Sequence, residues 1–454
     1  MSKALFEEFQ GVSAKEWKQQ IQMDLKGADY NDTLIWQSLE GIHVKPFYNR
    51  EDLPEDPINI PGQPAQWQVT QHIFVDDIAI TKQLIAKAIS NGAEALYLSA
   101  EKPFDCEQLF HKIQLESITI FGNFGFLDQE FLEKLTRFLK KKGVPFHVNV
   151  DPLHQLAKDG NWFQNLEKDH EVLDALVSQN PSEAMLGVHT HLYQNAGANS
   201  IQQLAYGLAH ANEYLNHFAQ QKQLKLTFIV SVGSNYFFEI AKIRALRWLY
   251  ASLATEYGMP PECTILAIPS KRNKTLYDYN VNMLRTTTEC MSAVLGGANA
   301  VCNLPYDVLY HKSNEFGERI SRNQLLILKS ESYFDVVSNP AEGSYYISQL
   351  TKELANKALE LFKEIEEQGG FMKMLKHGTL QKKIKESSQK EQQWFDEGKL
   401  VLVGTNKYPN TEDRMKDELE LYPFVKTKPR KTLLEPIVEK RLAETLEQDR
   451  LNHE

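Results

Sequence analysis

The sequence predicts an α/β protein built around a (β/α)8 TIM barrel. From residue 67 onward, apolar strand-like runs alternate with helical stretches, and there are eight such runs, the number that closes this kind of barrel. A doubly wound open sheet is the competing arrangement, but no GxGxxG motif follows the first run. The predicted strands are Trp67–Val75, Ala95–Ser99, Ser117–Phe124, Phe146–Val150, Met185–His191, Leu226–Val232, Thr264–Ile268 and Ala298–Leu304.

The predicted helices lie between these strands and carry apolar residues at steps of three and four. The clearest unit begins at Asp278, where a helical pattern stops at Gly296-Gly297 and a buried strand follows at once. Glycine favours such a stop because it readily takes the left-handed conformation at a helix C-terminus. The main predicted helices are Thr81–Ile89, Gln129–Lys140, Ile201–His217, Phe237–Tyr257 and Asp278–Leu295.

The segments on either side of the predicted barrel, residues 61–340, differ from it in character. Residues 1–60 predict a polar N-terminal arm that wraps a larger body or a partner, and residues 341–454 predict a C-terminal helical wrap with a tail. Because the tail has little core of its own, we expect it to be disordered or docked on another subunit. The elements predicted here are an extended stretch over Trp36–Tyr48, helices over Ile347–Glu367, Met372–His377 and Gln381–Glu397, a strand-like run at Leu400–Val403, and helical spacing over Leu433–Leu451.

Composition excludes several classes of function. A net charge of −10 argues against a nucleic-acid partner, which needs a basic face. The four cysteines form no CxxC pair, which is typical of reduced thiols in the cytoplasm. The N-terminus lacks the apolar core of a signal peptide, and no apolar run approaches the roughly 20 residues that span a bilayer. We therefore expect a cytoplasmic protein with no membrane partner.

In a barrel of this kind, chemistry lies at the C-terminal ends of the strands. Asp151 and His154 follow the fourth predicted strand, and His189 and His191 lie on one side of the fifth. Two histidines with a carboxylate are a plausible metal set that would activate water for hydrolysis. The competing interpretation is that polar residues simply fill a barrel mouth, since an H-x-H pair is unsurprising among thirteen histidines. We expect no metal, and keep the hydrolase as an alternative.

A basic group follows the seventh predicted strand. Ser270, Lys271 and Arg272, with Lys274 close by, would suit a phosphate or a coenzyme A nucleotide. A solvated loop of positive charge explains the same residues equally well. Arg244 and Arg247 lie on a predicted helix, where ion pairs on the outer surface are the usual role.

Seven stretches in family order, from about residue 40 to residue 410, resemble the methylmalonyl-CoA mutase family of adenosylcobalamin-dependent acyl-CoA mutases. The resemblance implies a (β/α)8 barrel, which agrees with the strand count. The stretches are EGIHVKPFY from Glu40, QNAGANSIQQLAYGLAHANEYL from Gln194, FFEIAKIRALRWLYA from Phe237, LRTTTECMSAVLGGANAV from Leu284, EFGERISRNQ from Glu315, NPAEGSYYI from Asn339 and VGTNKYP from Val403.

The chain departs from that family at its active-site positions. Where catalytic members carry Tyr-His-Met, this chain has His191-Leu192-Tyr193, so Leu192 replaces the histidine that hydrogen-bonds the thioester carbonyl. Where they carry Gln-Thr-Ser-Gly, it has Ile268 and Pro269 before the retained serine and Lys271. Their tyrosine-bearing run at strand one has no match here, and we expect the C-terminal cobalamin-binding domain to be absent.

The resemblance is therefore closest to the small (β) subunit of heterodimeric methylmalonyl-CoA mutase. It implies a non-catalytic chain that pairs with a catalytic large (α) subunit, which binds adenosylcobalamin and most of the acyl-CoA substrate. No cofactor is expected on this chain. Two alternatives stay open at this point: the metal-dependent hydrolase, and a barrel chain that works with a separate cobalamin-binding protein. Whether the barrel bore admits a coenzyme A chain also stays open.

Overall fold

Eight parallel strands close into a barrel at the centre of the computed structural model, which describes residues 11–53, 59–426 and 429–454. Around the barrel the strands run β10-β3-β4-β5-β6-β7-β8-β9, so each pairs with its neighbour in sequence and the last meets the first. The predicted (β/α)8 barrel is confirmed. The strands are β1 (Trp36–Gln37) and β2 (His43–Val44), an antiparallel pair in the arm, and the barrel strands β3 (Gln68–Phe74), β4 (Ala95–Ala100), β5 (Thr119–Phe124), β6 (Phe146–Val150), β7 (Ala184–His189), β8 (Leu226–Val232), β9 (Thr264–Pro269) and β10 (Ala300–Cys302).

Helices surround the barrel, and further helices lie in the segments before and after it in the chain. They are α1 (Ala14–Asp24), α2 (Tyr30–Leu34), α3 (Ile78–Ser90), α4 (Cys106–Leu109), α5 (Gln129–Lys142), α6 (Pro152–Asp159), α7 (Leu166–Gln179), α8 (His191–Asn195), α9 (Ser200–His217), α10 (Tyr236–Glu256), α11 (Val281–Gly296), α12 (Glu315–Leu326), α13 (Tyr345–Glu367), α14 (Phe371–Lys376), α15 (Thr379–Asp396) and α16 (Glu444–Asn452). A 3₁₀ turn lies at Arg50–Asp52, and a π-helical turn at Ile327–Glu331 continues α12. Within the described residues, no helix is both long and apolar enough to cross a membrane.

Local signals in the sequence explain where these helices begin and end. Asn199 caps α9 with a capping box, because its side chain accepts from the Gln202 amide while the Gln202 side chain accepts from the Asn199 amide. Gly297 ends α11 in the left-handed conformation, with φ +94°, as the Gly-Gly pair predicts. Two stretches of the predicted arm, residues 1–10 and 54–58, lie outside the described residues. The division at residues 60 and 340 stays a prediction.

Apolar side chains fill the bore of the barrel. They come from alternate positions of the strands, so they face inward, and they form a cluster separate from the larger core between strands and helices. His147 stacks on Phe121 with ring centroids 4.6 Å apart, and burial lowers the pKa of this histidine to about 4. The barrel therefore has a packed interior. The cluster contains Ala95, Tyr97, Phe121, Ile229, Leu266, Ala300 and Cys302, with Ile268 against it.

The C-terminal tail differs from its prediction. Only α16 is helical within the predicted Leu433–Leu451 stretch, and Leu400–Val403 forms no strand beyond one bridge between Val403 and Lys407. The described part of the tail lies on the barrel of its own chain, which corrects the expectation of disorder or docking on another subunit. Leu434 and Ile437 are buried there, and the Ile437 amide donates to the Ala157 carbonyl over 2.8 Å. Backbone hydrogen bonds to the loops and short helices that follow the strands hold this segment in place. The spacing of apolar residues does not predict such bonds.

The structure also tests the prediction that Arg244 and Arg247 form ion pairs on the outer surface. Both side chains are 1% exposed, because α13 covers the helix that carries them. Arg247 donates to the carbonyls of Gly297 and Cys263, whereas Arg244 pairs with Glu342 over 3.1 Å. Arg247 therefore joins segments inside the fold, and the surface ion pair predicted for it is wrong. Arg244 does form an ion pair with a surface carboxylate, because the Glu342 side chain is 50% exposed.

Candidate functional site

A bulge in β6 places the central carboxylate of the site. The pairing of β6 with β7 shifts register between His147 and Val150, and Asn149 takes a left-handed backbone conformation with φ +59°. The side-chain amide of Asn149 donates to the Gly122 carbonyl over 3.1 Å, which stabilises the bulge. A bulge re-aims the residues that follow it. Here Asp151 comes immediately after the strand, at the C-terminal end of the barrel.

Both oxygens of Asp151 are saturated with hydrogen bonds. Oδ1 accepts from the His154 amide (2.9 Å), His210 Nε2 (2.8 Å) and the Tyr214 hydroxyl (2.7 Å). Oδ2 accepts from the amide (3.0 Å) and Nδ1 (2.9 Å) of His189. Burial raises the pKa of this carboxyl, but the charge of His210 and the hydrogen bonds from both histidines outweigh it and hold the pKa well below its usual range.

Three imidazole rings gather above Asp151. His154 and His189 stack with centroids 4.6 Å apart, and His191 lies 5.3 Å from the first and 5.5 Å from the second. Ligand atoms of Asp151, His154 and His189 lie within 4.8 Å of one another. Burial, then the neighbouring His189, holds the pKa of His154 and His191 well below the usual value.

The structure thus brings together all four residues of the predicted metal set, but from different elements than expected. β7 ends at His189, and Thr190 already has helical backbone angles. His191 therefore begins α8 and does not lie on the strand beside His189, so that part of the prediction is wrong. His154 lies in α6, whose N-cap is Asp151 itself.

The basic group after β9 is largely engaged within the chain. Ser270 donates to Asn195 over 2.9 Å, and Arg272 donates to the Lys440 carbonyl over 2.6 Å and to Ser388 over 3.0 Å. Arg272 also pairs with Glu391 over 2.5 Å. Lys271 is exposed. Lys274, close by, is 1% exposed and pairs with Glu289 over 2.7 Å, so it does not belong to a solvated loop of positive charge.

The positions that correspond to the family's active-site residues lie in packed surroundings. Leu192 is 1% exposed and belongs to the main core cluster. Ile268 packs against the cluster that fills the bore, and Pro269 is the last residue of β9 and is also buried. Leu192, Ile268 and Pro269 have no side-chain hydrogen-bond donor, and the His191 ring lies beside His154 and His189.

Sequence reasoning missed the partners of Asp151 on α9. Tyr206, His210 and Tyr214 recur every four residues on the buried face of that helix, a spacing that puts polar rings on one side. Tyr193 completes the group, because its hydroxyl shares a hydrogen bond with His210 Nδ1 over 2.9 Å while His210 Nε2 donates to Asp151. The repeated polar aromatic residues were the available signal.

A separate titratable group lies beside β3 at the other side of the barrel mouth. Glu318 of α12 accepts hydrogen bonds from Gln71 and from the Ser313 hydroxyl, the latter over 2.9 Å. Burial raises the pKa of Glu318 to about 7. This carboxyl can change its charge near neutral pH.

Comparison with known proteins gives a consistent family. The profile described as methylmalonyl-CoA mutase matches residues 98–449. A methylmalonyl-CoA mutase small subunit from Porphyromonas gingivalis is 32% identical, over 92% of this chain and 73% of the relative. A small subunit from Streptomyces virginiae is 28% identical, over 90% and 73%. A methylmalonyl-CoA mutase from Cereibacter sphaeroides is 28% identical, over 86% of this chain and 64% of its own length.

Proposed function

The chain belongs to the methylmalonyl-CoA mutase family, and from this we propose that it is the small subunit of a heterodimeric mutase. In this proposal it pairs with a catalytic large subunit that converts methylmalonyl-CoA to succinyl-CoA, and it adds no active site of its own. Two of the relatives are named small subunits, which implies a second subunit in those enzymes.

The packed bore is the observation that carries the proposal. Tyr97 and Phe121 are 5% and 1% exposed, and Leu266 is fully buried between neighbouring strands. Protein interiors pack about as densely as organic crystals, and we propose that this cluster closes the bore to the pantetheine chain of an acyl-CoA. This supports assigning the acyl-CoA substrate to the partner subunit.

The residue at position 192 supports the same assignment. Leu192 is buried and apolar, so it cannot donate a hydrogen bond to a thioester carbonyl. Its neighbour His191 faces His154 and His189, with their ring centroids 5.3 and 5.5 Å away.

The described residues at the C-terminal ends of the strands do not fit adenosylcobalamin. The tail crosses this face: the amides of Leu433 and Leu434 donate to the Gly160 carbonyl, and the Lys440 amide donates to Asn195 over 3.1 Å. A Cβ added at Gly160 would lie 2.6 Å from the Leu434 carbonyl oxygen, so the tail and the strand-end loop are in tight contact. We therefore propose that the partner subunit binds the cofactor.

The proposed complex belongs to the cytoplasm. All four cysteines are free and buried, and reduced thiols of this kind suit a reducing compartment.

The test is turnover of methylmalonyl-CoA with adenosylcobalamin by this chain alone, by the large subunit of the same organism alone, and by the two co-expressed. We expect succinyl-CoA only, or mainly, from the co-expressed pair, and no product from this chain alone. Turnover by this chain alone would overturn the proposal. Turnover by this chain with a small cobalamin-binding protein, and no large subunit, would instead favour the separate-protein alternative.

A metal-dependent hydrolase is the second candidate, because ligand atoms of Asp151, His154 and His189 lie within 4.8 Å of one another. Hydrolysis needs a metal with an open position and a path for substrate. Assays of ester and amide hydrolysis, with zinc-loaded and chelator-treated chain, decide it. Zinc-dependent turnover that is lost in His189→Ala would favour the hydrolase, and equal, negligible rates in both preparations would remove it.

A further inference from the structure

Three buried ring nitrogens at the barrel mouth have no hydrogen-bond partner among the residues that the structure describes. They are His154 Nδ1, His189 Nε2 and His191 Nδ1. His189 is only 3% exposed, and the other two residues are partly exposed although these nitrogens are buried. Buried polar atoms in proteins are nearly always hydrogen-bonded, so three unsatisfied nitrogens in one cluster indicate a ligand that they share.

Hydrogen bonding fixes which nitrogen of His189 carries the lone pair. A carboxylate only accepts, so Nδ1 must donate its proton to Asp151, at 2.9 Å. In the neutral ring, the buried Nε2 then carries a lone pair that faces no donor among the described residues. His154 Nδ1 and His191 Nδ1 are likewise buried without a partner among the described residues, and a neutral imidazole offers one lone pair.

We propose that His154, His189 and His191 form a binding site for a divalent transition metal of the zinc class. Neutral imidazoles are the nitrogen ligands that zinc prefers, at about 2.0–2.1 Å. The rings lie 4.6 to 5.5 Å apart by centroid, and ligand atoms of His154 and His189 lie within 4.8 Å of each other. The site lies at the C-terminal ends of β6 and β7.

Asp151 is not one of the metal ligands in this proposal, and its role is to orient a ligating histidine through a hydrogen bond. Five donors already occupy its two oxygens, three on Oδ1 and two on Oδ2. A carboxylate that accepts from the other nitrogen of a ligating histidine orients the ring and raises its basicity. Asp151 holds this position toward His189, and the bulge at Asn149 fixes where Asp151 lies.

The chain offers a matched control on its surface. His170 and His217 lie 5.0 Å apart by ring centroid, and His217 contacts Asp174 over 2.6 Å. Two histidines and a carboxylate are therefore close together there too, but the His217 and Asp174 side chains are 35% and 54% exposed to water. We expect no stoichiometric metal at this pair.

The experiment uses the purified full chain after removal of metal with a chelator. Zn²⁺ is titrated by isothermal calorimetry, bound zinc is counted after dialysis, and Co²⁺ is added as a spectroscopic probe of coordination. We expect one equivalent of zinc and the visible spectrum of a nitrogen-ligated Co²⁺ ion. His154→Gln and His191→Gln, whose side chains are partly exposed, should abolish both, and Asp151→Asn should weaken zinc binding by about 10–100-fold.

Circular dichroism of each variant without metal separates loss of a ligand from loss of the fold. His217→Gln should bind zinc as the unchanged chain does. The proposal is overturned by binding of less than a tenth of an equivalent, or by folded His154→Gln and His191→Gln proteins that keep full affinity. Because the titration needs no partner subunit and no mutase substrate, its outcome is independent of the proposed function.

Discussion

The buried ion pair that fastens the tail allows a prediction with a worked magnitude. Arg441 Nη1 lies 2.6 Å from Glu447 Oε2, and the side chains are 5% and 1% exposed. Glu447 Oε1 also accepts from the Leu276 amide over 2.8 Å, and Arg441 donates to the Lys274 carbonyl over 3.1 Å. The pair thus joins α16 and the tail to the loop after β9.

Replacing Arg441 with methionine removes the charge but keeps much of the volume. Glu447 is then buried with one backbone donor and no counter-charge, and breaking a buried pair in this way costs about 3–5 kcal/mol. We expect the free energy of unfolding in urea to fall by that amount for Arg441→Met. We also expect trypsin to cut the tail at concentrations that leave the unchanged chain intact, because the tail is released first.

Two further variants check the cause. In Arg441→Met/Glu447→Leu both charges are absent, so the double variant should be more stable than Arg441→Met alone. Lys134→Met removes a surface pair with Glu130, whose side chains are 64% and 79% exposed, and should leave unfolding unchanged. A loss below about 1 kcal/mol for Arg441→Met, or a double variant less stable than the single one, would refute this reasoning.

Three further predictions concern the bore and the barrel mouth. Phe121→Ala leaves a cavity in the packed bore and should lower the free energy of unfolding by about 3–5 kcal/mol in urea titrations; a loss below about 1 kcal/mol would mean that the bore is loosely filled. Leu192→His restores an imidazole but not a passage for acyl-CoA, so the chain alone should still produce no succinyl-CoA; measurable product would contradict the role given to the bore. Burial raises the pKa of Glu318 from 4.5 to about 7, so the folded state holds this proton more tightly than the unfolded state and stability falls as pH rises through that window. Glu318→Gln should therefore show a smaller drop in thermal midpoint between pH 5 and pH 7.5 than the unchanged chain; equal drops would refute the assignment.

Periodicity predicted the barrel because each strand is a short apolar run bounded by polar turns. Phe146–Val150 and Leu226–Val232 match the structure at both ends, and the predicted helix Gln129–Lys140 falls two residues short of α5. Leu400–Val403 shows the limit of the method. Its apolar run predicts a strand, yet Val401 and Val403 are exposed. Leu402 is buried and packs against Phe395 and Leu442.

The sequence predicted only some of the residues that form the site. Asp151 and His189 follow predicted strands, and neighbouring parallel strands bring their C-terminal ends together. His210 and Tyr214, however, contact Asp151 from a helix that begins 49 residues later in the chain, and their four-residue spacing indicates a shared helix face but not the residue that this face contacts. The buried pairing of Arg441 with Glu447 is similarly invisible, because both residues are typical of a solvated helix when read alone.

The central claim is that this chain contributes no active site to the mutase complex, and binding stoichiometry tests it most directly. Equilibrium dialysis would measure adenosylcobalamin and methylmalonyl-CoA bound by the isolated chain and by the co-expressed pair. The account predicts neither ligand on the isolated chain and one equivalent of each per pair. One equivalent of either ligand on the isolated chain, or two per pair, would contradict it.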